Sequence, residues 1–195
     1  MGRKIILSVI VLVFLEVAAF SQKNDSVKVR LNHYSLTLGI GWSHYYDNLE
    51  YGDKNISQDF AGLSVKFFWE PEHRLSLGLE SGYYHLFKVK YQLTNDASAE
   101  VNRSVVPFLL LVRMRIVDHF YLGTGMGLAV INNKVSGGNS EILTKTWSLS
   151  NYEFSGSYVY PLKRHLNVGG EFKVFNFGNL NDWIYSLQVV CAIKI

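Results

Sequence analysis

"HFYLGTGMGLAV", residues 119–130, places Gly123, Gly125 and Gly127 at every second position, with Leu122, Met126 and Leu128 in the opposite phase. A glycine-rich loop that cradles a phosphate needs a strand-to-helix turn and a helix N-terminus after it. Here the polar stretch "NNKVSGGNS" (132–140) follows instead. Period two is the signature of a strand, and three glycines on one face leave room for longer side chains from neighbouring strands.

The same period recurs along the chain. In the last thirteen residues, Trp183, Tyr185, Leu187, Val189, Cys191, Ile193 and Ile195 share one face. Ile184, Ser186, Gln188, Val190, Ala192 and Lys194 share the other. Val106, Phe108, Leu110, Val112, Met114 and Ile116 likewise alternate with a face that holds Arg113 and Arg115. These patterns predict eight strands, at 33–46, 59–70, 73–90, 101–117, 119–131, 146–160, 164–176 and 182–195. The sixth segment, 146–160, changes phase between Leu149 and Tyr152, which predicts a bulge near Ser150. Pro107 has no N–H to give to a ladder and predicts a second one. Polar stretches 47–58, 91–100 and 132–145 read as long loops; 71–72, 118 and 161–163 read as tight turns. Long loops at one end and tight turns at the other fit an antiparallel up-and-down transmembrane β-barrel, with both termini at the turn end.

Composition bounds the alternatives. Charged residues make up 18% of the 195 residues and aromatics 14%. That charged share is low for a chain that must cover itself with water-facing surface. A net charge of +3 gives no reason to expect a nucleic-acid partner. The single cysteine, Cys191, cannot form an internal disulfide or a thiolate metal cluster. Arg3 and Lys4, the apolar run 5–15, and Ala19 and Ser21 before Gln22 read as a secretory signal at 1–21. A short periplasmic segment, 22–32, and a barrel domain, 33–195, would follow.

An eight-stranded barrel can also be soluble, a lipocalin-like carrier with an apolar ligand inside. The two folds turn opposite faces inward. The polar face carries few charges (Lys66, Glu80, Arg113, Arg115, Glu153, Glu171, Lys173 and Lys194), mixed in sign among glycines and serines. That is too sparse for a soluble exterior and suits a filled lumen. Lys66, Glu80, Arg113, Arg115, Glu171 and Lys173 are the expected members of a paired lumen network. The apolar face ends in aromatics. Trp42, Tyr83, Trp147, Trp183 and Tyr185 fall toward the loops. Tyr34, Trp69, Phe120, Tyr158 and Tyr160 fall toward the turns. Two such girdles around an aliphatic band match the two membrane interfaces.

The strand "VVPFLLLVRMRI" (105–116), the glycine strand and the closing hairpin "YVYPLKRHLNVGGEF" (158–172) together resemble the eight-stranded outer-membrane barrels widespread in Bacteroidota, related in form to OmpX-like and PorT-like barrels. The resemblance covers most of 33–195. It implies an integral protein of the bacterial outer membrane, porin-like in architecture, and brings no catalytic residue with it. Ile195 departs from the aromatic C-terminal residue common in such barrels.

Chemistry candidates are few. Ser43, His44 and Asp47, with His85 nearby, imitate the rim triad of a lipid-modifying enzyme, but adjacent Ser43 and His44 should point to opposite faces. No motif calls for a cofactor or metal. The expectation is a non-enzymatic, monomeric barrel. Its partners would be outer-membrane lipid and, at 47–58, 91–100 and 132–145, a protein or surface glycan.

Overall fold

The computed structural model describes residues 33–46, 56–71, 74–94, 97–137, 140–177 and 182–195. The expected signal segment and the stretch 22–32 lie outside the described residues, as does 47–55 of the first expected loop. Every regular element described is a strand: β1 (His33–Tyr46), β2 (Ile56–Ser57), β3 (Asp59–Glu70), β4 (Leu75–Thr94), β5 (Ala97–Val117), β6 (Phe120–Gly137), β7 (Ser140–Lys163), β8 (Leu166–Phe177) and β9 (Asp182–Lys194). The two-residue β2 pairs with β4, as β3 does, and so prolongs β3 across Gln58. The eight long strands pair antiparallel with their chain neighbours. β1 also pairs with β9, as in Leu38↔Cys191, and this closes the sheet into a barrel without a free edge around its circumference.

The first two expected strands keep their bounds, and four of the others are longer than their alternation suggests. β4 and β5 continue to Thr94 and Ala97, and β6 and β7 to Gly137 and Ser140. Most of the expected loops 91–100 and 132–145 is therefore ladder, with Lys90↔Glu100 and Ser136↔Glu141 paired. Polarity in these stretches does not mean irregularity. A hairpin that reaches past its core needs no apolar alternation, because hydrogen bonds and not burial hold it.

The bulge in β7 lies where the phase change puts it. Asn151 faces Gly127 and Ser148 faces Ala129, so Leu149 and Ser150 stand opposite one residue. The Asn151 amide ties the kink by donating to the Gly127 and Ser148 carbonyls at 3.2 and 3.0 Å. Pro107 marks no bulge. It pairs in register with Ala129, and the β4–β5 register shifts fall elsewhere, between His85 and Phe87 and between Gln92 and Thr94. The first of these turns both Leu86 and Phe87 inward.

The turn between β5 and β6 places His119 at a φ of 68°, with its ring against Tyr158 and Tyr160. The opening glycines face inward for steric reasons. A Cβ on Gly123 would meet Ser155 Oγ at 2.7 Å, and one on Gly125 would overlap the Leu111 side chain. On Gly127 it would overlap the Phe108 carbonyl. Room for side chains explains the first two; close approach of the β5 backbone explains the third.

Candidate functional site: the filled lumen and the outer face

Directly opposite residues share a face of the sheet. Lys66 faces Glu80 across β3–β4, and both are 3% exposed. Glu171 and Lys173 come two apart on β8, and Glu153 comes from β7. These five buried side chains meet at mid-height. Lys173 Nζ lies 2.6 Å from Glu80 Oε1 and 3.5 Å from Glu171 Oε2. Lys66 Nζ pairs with Glu171, and reaches Glu80 at 3.4 Å and Glu153 at 3.9 Å. Lys173 also donates to Tyr84 Oη at 3.1 Å, and Ser64 donates to Gln188 at 2.7 Å.

Four of the six expected network members thus come together. Glu153, which alternation places on the polar face but outside the expected network, joins them. The outward neighbours Tyr152 and Phe154 were the signal for it. Arg113 stands apart near the turn end. Its guanidinium bonds Glu70 at 2.6 Å and lies 3.8 Å from the Phe68 ring centroid and 4.7 Å from that of Tyr121. Arg115 is not in the lumen. It is exposed, because the last three residues of β5 run past the end of the β4 ladder, whose last pair is Leu75↔Met114.

The inward face, polar by alternation, is not polar at every height. Toward the loops the interior becomes mainly apolar, with Ser43, Ser104, Ser148 and Asp182 as buried polar members. Tyr45, Tyr84, Phe87, Val89, Val105, Ile131, Phe175, Phe177 and Ile184 are all buried there. Tyr84 and Phe175 pack with ring centroids 4.9 Å apart, and Tyr45 donates to Asp182 at 2.6 Å. The bulge at Leu86 supplies Phe87 and Val89 to this layer, which simple alternation would have turned outward.

The outer face is the reverse. Ile40, Leu79, Leu110, Met126, Leu187 and Val189 are each more than half exposed. The aromatics Tyr34, Trp42, Trp69, Tyr83, Trp147, Tyr158, Tyr160 and Tyr185 are exposed on the same face; Phe120 and Trp183 are half-buried.

Among the described residues, the rim assembles no triad. Ser43 is buried and donates to the Phe60 carbonyl at 3.1 Å. His44 lies on the other face, 2.9 Å from Asp59, which also accepts from Trp42 Nε1 at 3.0 Å. Asp47 is outside the described residues, and the His85 ring packs on Phe60. Among the described residues, no three His, Cys, Asp or Glu side chains are placed to hold a metal ion.

No family model matches the chain, and no curated protein does. Solved structures do. The attachment invasion locus protein Ail of Yersinia pestis, crystallised with the heparin analogue sucrose octasulfate, superposes with a TM-score of 0.52 at 10% identity, over 84% of this chain and 99% of Ail. Neisserial surface protein A superposes with a TM-score of 0.52 at 9% identity, over 83% of this chain and 97% of that one. At such identities the likeness is one of fold: a closed, eight-stranded antiparallel β-barrel of the outer-membrane type.

Proposed function

We propose that the protein is a non-enzymatic, monomeric, integral barrel of the bacterial outer membrane, exported by a signal at 1–21, with both termini periplasmic. Its role is structural or adhesive, or that of an assembly partner, exercised through the β4–β5 and β6–β7 hairpins that rise past the barrel mouth. The motifs at 105–116, 119–130 and 158–172 support placing it with the OmpX-like and PorT-like barrels of Bacteroidota. One observation carries the membrane reading: an exposed aliphatic band between two aromatic belts, on a barrel whose mid-height charges are inside. Tyr34 and Trp42 stand eight residues apart on β1. At about 3.3 Å per residue and a tilt near 40°, that is roughly 20 Å along the barrel axis, close to the height of an outer-membrane apolar band. A soluble carrier would need an open apolar interior, and this one is filled. A surface glycan is one partner class to test at the hairpins, since the structurally similar Ail was crystallised with a heparin analogue.

The test is electrophoretic mobility in SDS with and without boiling, paired with Leu110→Arg and Leu187→Arg. The folded barrel should migrate differently from the boiled chain. Each arginine should cost about 2–4 kcal/mol in lipid vesicles, as for a charge near the bilayer midplane. Unchanged stability of both variants would mean that this face does not meet lipid.

A further inference from the structure

On the outer face at the loop end stands a carboxylate, Asp59, that no described lysine or arginine takes up. His44 of β1 faces Asp59 of β3 on one side and Tyr185 of β9 on the other. Ser43 and Tyr45 are buried, so His44, Asp59 and Tyr185 share the face that meets lipid. Asp59 Oδ1 accepts from Trp42 Nε1 at 3.0 Å and lies 2.9 Å from His44 Nδ1. The Trp42 and His44 rings stack, with centroids 5.9 Å apart. Two side chains thus fix one carboxylate oxygen, while Oδ2 accepts from no described residue. The outward acids of the hairpins differ. Glu100 holds Lys88 at 2.7 Å, and Glu141 holds Lys134 at 2.8 Å. Lys88 faces Ser57, two positions from Asp59, and it is the lysine that Glu100 engages.

Trp42 belongs to the loop-side belt, and Asp59 is bonded to it, so the carboxylate stands at the edge of the apolar band. His44 lies two positions beyond Trp42, about 5 Å further along the membrane normal. The polar layer of a bilayer is about 5–7 Å thick on each side. The carboxylate therefore faces lipid headgroups. A headgroup phosphate repels it, and a headgroup ammonium does not. A primary ammonium has three N–H groups and can donate to Oδ2, leaving Oδ1 to Trp42 and His44. Trp42 and Tyr46 flank His44 along β1 and are diagonal neighbours of Asp59, with Cβ atoms about 7–8 Å away. Both are 50% exposed, and their ring faces attract a cation. A quaternary ammonium would keep the ring contacts but has no N–H for Oδ2.

We propose that Asp59, held by Trp42 and His44 and flanked by Tyr46, binds the primary-ammonium headgroup of a membrane lipid. The inference rests on the membrane reading above. Its test is calorimetric titration of the protein, folded in a non-ionic detergent, with dihexanoyl phosphatidylethanolamine, dihexanoyl phosphatidylcholine and free ethanolamine. Phosphatidylethanolamine should bind saturably, and more weakly as salt rises. Phosphatidylcholine should bind markedly more weakly. D59N should bind phosphatidylethanolamine about tenfold more weakly, as the loss of one charge-assisted hydrogen bond at an exposed site requires. Equal affinity of D59N and wild type, or phosphatidylcholine binding as tightly as phosphatidylethanolamine, would overturn the proposal. Ethanolamine binding as tightly as the lipid would overturn it in favour of a free-amine site. Heat-dependent mobility of wild type and D59N separates failure here from failure of the membrane reading.

Discussion

At Gly127 a single methyl group has nowhere to go, since its Cβ would overlap the Phe108 carbonyl, which a ladder holds in place. Gly156 lies on the next strand, and the nearest atom to its Cβ would be Leu122 Cδ2 at 3.6 Å. Gly127→Ala should therefore cost about 1–3 kcal/mol, as overpacking does. Gly156→Ala should stay within about 0.5 kcal/mol of wild type. Urea unfolding in lipid vesicles, followed by tryptophan fluorescence, compares the two. Charge gives a second contrast at this scale. Lys173→Met would leave Glu80, Glu153 and Glu171 buried with Lys66 as the one cation of the cluster, and should cost about 3–5 kcal/mol. The double change K173M/E80M removes one charge of each sign and should recover most of that loss, since apolar packing often replaces a buried pair without penalty. A double variant no better than the single one would mean that the cluster is not held by mutual pairing. Which residues point inward was legible from alternation wherever the phase was clean, as at Lys66 and Glu80. It was not legible at Arg115, because nothing in a period-two pattern says how far a strand outruns the barrel wall.

Among the elements, the two projecting hairpins differ most from the sequence reading. Periodicity detects a strand by the contrast between its faces, and "INNKVSG" offers little, yet it pairs residue for residue with 140–146. Backbone hydrogen bonds report what side-chain pattern omits. The amides of β6 and β7 that pair across Asn133↔Thr144 and Val135↔Ile142 should exchange with solvent deuterium distinctly more slowly than an irregular loop would. Exchange there as fast as in an unstructured peptide would return both stretches to loops. The β7 bulge, by contrast, was readable, because a phase change inside an otherwise regular run has few other causes.

Across the whole molecule, alternation separates inside from outside but carries no information on height, since residues from eight strands reach one level only through the register. The lumen proves to be stacked, with Arg113 and Glu70 toward the turns, the five-membered charge cluster at mid-height, and the aromatic and aliphatic layer toward the loops. An ion that entered from the loop side would first lose its hydration against Tyr45, Phe87, Phe175 and Phe177, at a cost of many kcal/mol for a bare charge in apolar surroundings. It would then have to part ammonium and carboxylate groups that the low dielectric holds together. The two barriers lie in series, so removing one does not open the path. Wild-type protein in a planar lipid bilayer should show no discrete conductance steps. Y45A/F87A, which hollows the apolar layer and leaves the charge cluster whole, should also stay closed. Steady single-channel steps from wild type would show that the stacked lumen opens in the membrane. Steps from Y45A/F87A alone would assign the seal to the apolar layer and leave the charged cluster a structural role.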